Sequence, residues 1–277
     1  MALKFLPMSK VKKLFLNRKI QIVVIVLSLF FVPSFIYASF NHVLPQSAIY
    51  LLDNINVPQK GDKLLVFSPH PDDETIGVGG YIIEATKREA IVKIVLVTDG
   101  NKQGKEVKRY EEFRKATSIL GVKNDNLVFL DLPDGKLRGK DEVLLDKLFK
   151  DQIDDFEPNY IAYPHPLDIH PDHSVTGQIV EKVIKNNSKV TAYKYLIHDY
   201  RYPQPKKYRP NLFLLPPVDV VTNDKQWKRL LLSDDDLKLK EKAISQYHSQ
   251  LRVPFLRSLI LSLVRKNELF ATMTLDE

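Results

Sequence analysis

From Lys63 onward the chain alternates short β-rich runs with longer helical periods, and this alternation restricts the fold more than any other feature. Lys63–Ser68 and Ile91–Thr98 read as strands, Asn126–Asp131 and Asn159–Tyr163 as two more, and Thr191–His198 as a further one. Between them, Thr75–Arg88, Glu106–Leu120, Asp141–Phe156 and Ser174–Lys185 read as helices. A helix that carries the chain from one strand to the next in the same sheet makes a right-handed crossover, so the order predicts a mainly parallel sheet flanked by helices. Such sheets bind ligands beyond the carboxyl ends of their strands. The loops at those ends are unusual: His70–Glu74, Asp99-Gly100, Asp131–Gly135 and His165–His173.

Two of these loops carry metal-binding side chains. Pro69-His70-Pro71-Asp72-Asp73-Glu74 sets one imidazole and three carboxylates after the apolar run Leu64–Phe67, and His170-Pro171-Asp172-His173 follows about a hundred residues later. Hydrolytic zinc commonly keeps three protein ligands and one water. His70 and Asp73, three apart, can meet one ion, and His173 closes the set if its loop lies beside the first. Asp72 is then placed to take a proton from the ligand water. His170, three residues before His173, can stabilise an oxyanion or protonate a leaving amine, with Asp172 orienting its ring. Glu74 reads as structural. The chain has no cysteine, so any metal is held by nitrogen and oxygen, and disulfides and a thiol nucleophile are excluded.

The net charge of +7 does not indicate a nucleic-acid surface. Of 41 basic residues, six lie in the first nineteen positions, where there is no acid; the other 35 face 34 acids. Residues 20–40 are almost uninterruptedly apolar and uncharged, a length that fits a membrane-spanning helix better than the shorter core of a signal peptide. The basic flank before it predicts a cytoplasmic N-terminus and an extracytoplasmic remainder, and a cleaved signal peptide exports the remainder equally. The expected organisation is a basic segment over 1–19, an anchor over 20–40, a linker over 41–60 and a folded domain over 61–277.

The later chain is plainer. Tyr200–Pro217, with five prolines, reads as a surface excursion, and Asp234–Gln250 as a helix capped by Ser233. Leu251–Lys266 sets Leu256, Leu259, Ile260 and Leu263 at helical spacing among Arg252, Arg257, Arg265 and Lys266. This pattern fits a packed helix or a face resting on an anionic membrane. His198 reads as structural or peripheral.

The paired loops resemble the signature of the PIG-L (LmbE-like) family of metal-dependent N-acetylglucosamine deacetylases. The similarity extends to Arg109–Glu112, Leu120–Val122, Leu132–Gly135, Tyr195–His198, Tyr247–Gln250 and Asn267–Phe270. The resemblance implies a Rossmann-like fold and zinc, or another divalent first-row metal, on His70, Asp73 and His173. It implies Asp72 as general base, His170 as acid or oxyanion partner supported by Asp172, and Arg109 as a substrate-binding residue. The substrate expected is an N-acetylated amino sugar on a surface-associated glycan or glycolipid. One position departs: some relatives have a tyrosine two residues before the histidine matching His170, where this chain has Asp168, and an anion there would repel an oxyanion. A two-histidine, one-carboxylate set also occurs in non-haem iron oxygenases, but those sit on double-sheet β barrels. A carbohydrate-binding surface protein without catalysis would have no purpose for Asp72.

Overall fold

A computed structural model describes residues 18–40, 44–101, 104–185, 187–217 and 227–272, with side chains left out over 34–40. Contacts divide the chain into two compact units, Met1–Val43 and Leu44–Glu277.

In the first unit, helix α1 (Arg18–Phe40) contains Pro33. Its described side chains include the charged Arg18-Lys19 pair and the polar Gln21 and Ser28, and Pro33 interrupts its hydrogen bonding. Among the described residues no helix is long and apolar enough to cross a membrane. The expected anchor over 20–40 is therefore corrected. The expected single-pass, membrane-anchored placement is corrected with it.

The second unit is an eight-stranded sheet. Its strands are β1 (Asp53–Asn54), β2 (Lys63–Ser68), β3 (Ile91–Thr98), β4 (Leu127–Leu132), β5 (Tyr160–Pro164), β6 (Thr191–Tyr195), β7 (Trp227–Leu231) and β8 (Asn267–Thr272). They lie in the order β1-β7-β8-β6-β5-β2-β3-β4. The five strands from β6 to β4 pair in parallel, whereas β8 runs antiparallel to both β6 and β7. The chain moves outward from β2 to β3 and β4, then returns to lay β5 and β6 on the other side of β2. The order therefore reverses between β2 and β5, and a doubly wound sheet opens its ligand crevice at such a point.

Helices cover both faces: α2 (Asp73–Lys87), α3 (Glu106–Ile119), α4 (Glu142–Phe156), α5 (Pro171–Ile184), α6 (Asp234–Ile244), α7 (His248–Leu251) and α8 (Pro254–Ser262). Successive residues of a strand point to opposite faces. Leu64 and Val66 accordingly join a core with Ile82, Phe113 and Ile244, while Leu65 and Phe67 join a second core with Phe149, Ile153 and Val180. Phe67 stacks on Phe149 with ring centroids 4.9 Å apart. Each such side chain, fully withdrawn from water, contributes about 1.5–3 kcal/mol. Residues 44–60 also pack into this unit: Ile49 and Ile55 are buried, and β1 pairs with β7.

Candidate metal centre

The site begins where β2 ends. Ser68 Oγ donates to the His70 carbonyl at 2.8 Å and accepts from the Glu74 amide at 3.1 Å, and Thr98 Oγ1 donates to the Pro69 carbonyl at 2.7 Å. These bonds tie the turn to two neighbouring strands. Glu74 is wholly buried, accepts from the hydroxyls of Thr75 and Tyr247, and holds the Asp72 amide at 3.2 Å. Asp72 adopts φ 136°, a conformation unfavourable for any residue with a Cβ, and this arrangement holds it there. On the other side of the crevice α5 lies directly against the end of β5. A Cβ on Gly177 would come within 2.3 Å of the Pro164 carbonyl oxygen, so only glycine allows the approach that brings His173 to the first loop.

His70 Nδ1, Asp73 Oδ2 and His173 Nε2 form a nearly equilateral triangle. Its edges are 3.1 Å (His70 to Asp73), 3.2 Å (His70 to His173) and 2.9 Å (Asp73 to His173). Nitrogen and oxygen ligands at about 2.0–2.1 Å from a tetrahedral ion stand about 3.3 Å apart, so the triangle has the size of one face of such a shell. The outer nitrogens of both rings meet carboxylates. His70 Nε2 lies 3.1 Å from Asp172 Oδ2 and 3.5 Å from Asp134 Oδ1, and His173 Nδ1 lies 3.2 Å from Asp168 Oδ2. A ring that donates its outer N–H to a carboxylate turns the lone pair of its other nitrogen inward. Both lone pairs then enter the triangle, which is the donor set a divalent metal requires.

The electrostatics agree with that fit. Burial alone would discharge His70, but Asp134, Asp172 and Asp73 outweigh it and raise its pKa well above the ordinary range. Burial likewise opposes charge on His173, yet Asp73 and Asp168 bring it up to about 9. Burial works against ionised Asp73 too, and the two imidazoles overcome it, holding the carboxyl well below its usual range. The centre thus favours positive charge among its carboxylates. Asp72 is different: burial and the charges of Asp73 and Glu74 raise it to about 8, against the pull of Arg109.

The remaining expected residues are also close by. His170 caps α5, its Nδ1 accepting from the Asp172 amide at 3.3 Å, which leaves the hydrogen on Nε2. Burial, followed by the charges of His70 and His173, lowers its pKa to about 4, so the ring is neutral. The Asp172 carboxylate accepts from Gly135 N at 2.6 Å and Leu137 N at 3.1 Å besides meeting His70. Arg109 is 7% exposed, and its guanidinium donates to the carbonyls of Gly100 at 3.0 Å and Pro71 at 2.9 Å, with Asp72 and Asp134 each at 3.6 Å. It clamps three site loops together.

Three residues enter the site beyond those expected. Asp134 reaches His70 and Arg109, and its place in Leu132–Gly135 was its only sequence signal. His198 meets His173 edge-on, with ring centroids 4.7 Å apart, and lines the cavity, although its sequence context reads as peripheral. Asp168 does not face an oxyanion: its oxygens are engaged by His173 and by the amides of His170, Ile197 and His198. The cavity beside the triangle holds about 300 Å³ and is lined by His70, Asp72, Asp73 and His170 among others.

These features define a Rossmann-like α/β protein with a candidate divalent-metal centre at its topological switch point. Residues 65–184 match the PIG-L family, described as GlcNAc-PI de-N-acetylase. Over 141 residues the chain is 28% identical to a probable N-acetyl-alpha-D-glucosaminyl L-malate deacetylase 2 of Bacillus subtilis, covering 46% of this chain and 63% of that protein. Over 127 residues it is 35% identical to the diacetylchitobiose deacetylase of Thermococcus kodakarensis, covering 42% and 46% respectively. The matches therefore span less than two thirds of the length of these curated relatives. Among solved structures, the N,N'-diacetylchitobiose deacetylase of Pyrococcus horikoshii superposes with a TM-score of 0.56 at 24% identity, covering 76% of this chain and 84% of that one, a likeness of fold.

Proposed function

We propose that the chain is a metal-dependent hydrolase that removes the N-acetyl group from an N-acetylglucosamine-type amino sugar. The observation that carries this reading is the triangle of His70, Asp73 and His173 with a fourth group, Asp72, beside it on the cavity wall. The family and the relatives named above, all deacetylases of N-acetylated sugars by description, support it.

His70, Asp73 and His173 would hold the ion, with zinc the first choice for two imidazoles and a carboxylate. When bound, it supplies Lewis acidity toward the amide carbonyl and lowers the pKa of a water. Asp72 takes the proton from the attacking water, its burial and φ fixing the carboxylate toward the cavity. The neutral His170 ring, with hydrogen on Nε2, donates to the carbonyl oxygen as negative charge grows there. The C–N bond then breaks, the proton on Asp72 passes to the leaving nitrogen, and acetate and the free amine depart. Arg109 holds the loop of Asp72 at the Pro71 carbonyl and forms part of the wall that receives the sugar. Asp134, Asp168 and Asp172 keep the two ligand rings oriented.

The full chain is assayed for acetate release from N-acetylglucosamine-containing glycans with added zinc, beside Asp72→Ala. Zinc-dependent release is expected from the parent. A variant that binds zinc and releases acetate as fast as the parent would sink the mechanism.

A further inference from the structure

The cavity beside the triangle is divided by chemistry. On the β3 and β4 side its wall is polar, with Lys105 and Arg109 at the start of α3, Asp134 after β4, and Gln250 on α7, which Ser249 ties to Glu112 of α3. On the β6 side the wall is aliphatic, made by Ile76, Ile197, Leu256, Leu259, Ile260 and Leu263. Four of these six belong to α8 and its C-cap, and α8 adjoins the excursion that follows β6, Ser258 Oγ donating to the Lys206 carbonyl at 3.3 Å.

Burial gives the aliphatic wall a direction. Ile76, Ile197, Ile260 and Leu263 are at most 4% exposed, whereas Leu256 and Leu259 are half-buried. Ile76 stands one turn along α2 from Asp73, and Ile197 precedes His198, whose ring meets His173 edge-on. Ile76 and Ile197 thus belong to the deeply buried part of the wall near the triangle, and Leu256 and Leu259 of α8 to its more accessible part. From Leu263 to Leu256 the wall covers about 10 Å at the helical rise.

An amide carbonyl held at the triangle sends two substituents in different directions. The sugar on its nitrogen carries hydroxyls that need hydrogen-bonding partners, and these are on the polar side. The acyl side then lies along the aliphatic wall, of which a single methyl group would cover only a small part. We propose, on the basis of the hydrolase reading above, that the amide cut best carries a linear aliphatic acyl chain longer than acetyl, seated between Ile76 and Ile197 at its inner end and Leu256 and Leu259 at its outer end. Water adds to the carbonyl carbon, the C–N bond breaks, the proton goes to the amine, and a medium-chain carboxylate leaves.

The test uses the full, zinc-loaded chain and glucosamines bearing N-acetyl, N-butanoyl, N-hexanoyl and N-octanoyl groups, with free amine as the readout. Each fully buried methylene is worth about fourfold, so kcat/KM is expected to rise at least about tenfold from acetyl to hexanoyl. Leu256→Gln and Leu259→Gln, both at half-buried positions, are expected to lower the hexanoyl-to-acetyl ratio at least about threefold. Calorimetry with hexanoate and acetate tests the wall without turnover, and tighter binding of hexanoate supports it. A parent ratio at or below one overturns the proposal, as does equal binding of the two carboxylates. It is also overturned if the octyl glycoside of N-acetylglucosamine is cut faster than N-octanoylglucosamine, because the chain then belongs on the aglycone. Failure of the hydrolase reading is distinguishable from all of these: no amine appears from any amide, acetyl included.

Discussion

The same tripeptide, His-Pro-Asp, occurs in both site loops, and the two copies divide the work in opposite ways. At 70–72 the histidine enters the triangle and the aspartate faces the cavity; at 170–172 the histidine faces the cavity and the aspartate is buried behind the triangle. The difference is one of register against the following helix. Helix α2 starts at Asp73, after its tripeptide, whereas α5 starts at Pro171, inside its own. Asp172 therefore points from a helical first turn toward the amides of Gly135 and Leu137, while Asp72 sits ahead of its helix at φ 136°. Identical residues acquire different chemistry from a shift in the helix start.

Exchanging equivalent positions between the copies tests this division. The largest effects are expected at the histidines. His70→Ala should leave a chain that does not retain zinc through dialysis, whereas His170→Ala should retain it and lose about 10²–10³ in kcat, the usual cost of removing one oxyanion donor. Metal analysis and acetate release read the two outcomes, and loss of zinc in both variants would erase the distinction. Next in size is stabilisation by the metal itself. Zinc at about 100 times its Kd should raise the unfolding free energy of the parent by about 2.7 kcal/mol and that of His70→Ala by far less, measured by denaturant titration with and without a chelator. The smallest effect sharpens the aspartates. Asp172→Asn should weaken zinc about 10–100-fold through the orientation of His70, while Asp72→Asn leaves zinc affinity within about threefold. Equal weakening by both would show that the two carboxylates share one role.

Much of the unit's parallel half was legible because its determinants are local. Buried strands such as Ile91–Thr98 are continuous apolar runs, and the helices between them carry one apolar stripe, so alternation indicated the layers and the crossover rule gave the direction of the strands. The antiparallel strands β7 and β8 carried no such pattern. Glu268 is the second residue of β8, and its burial makes sense only once Lys240 Nζ at 2.6 Å and the amides of Gly80 at 2.7 Å and Tyr81 at 2.9 Å surround it. A helix read over Asp234–Gln250 ends at Ile244, and the turn that follows sends Tyr247 to Glu74, 173 positions away. Helical spacing placed Leu256, Leu259, Ile260 and Leu263 on one face, but what that face meets is a cavity wall.

By itself the sequence determined the doubly wound class of sheet, the loops that carry the chemistry and the three candidate ligands, because strand period, helix period and donor type are properties of short segments. Tertiary structure decided the partners. That Asp172 reaches His70 and Arg109 reaches the Pro71 carbonyl depends on distances between segments 102 and 38 residues apart. Those distances are set by packing at the switch point, where Gly177 lets α5 close on β5, and local preference contains no record of them.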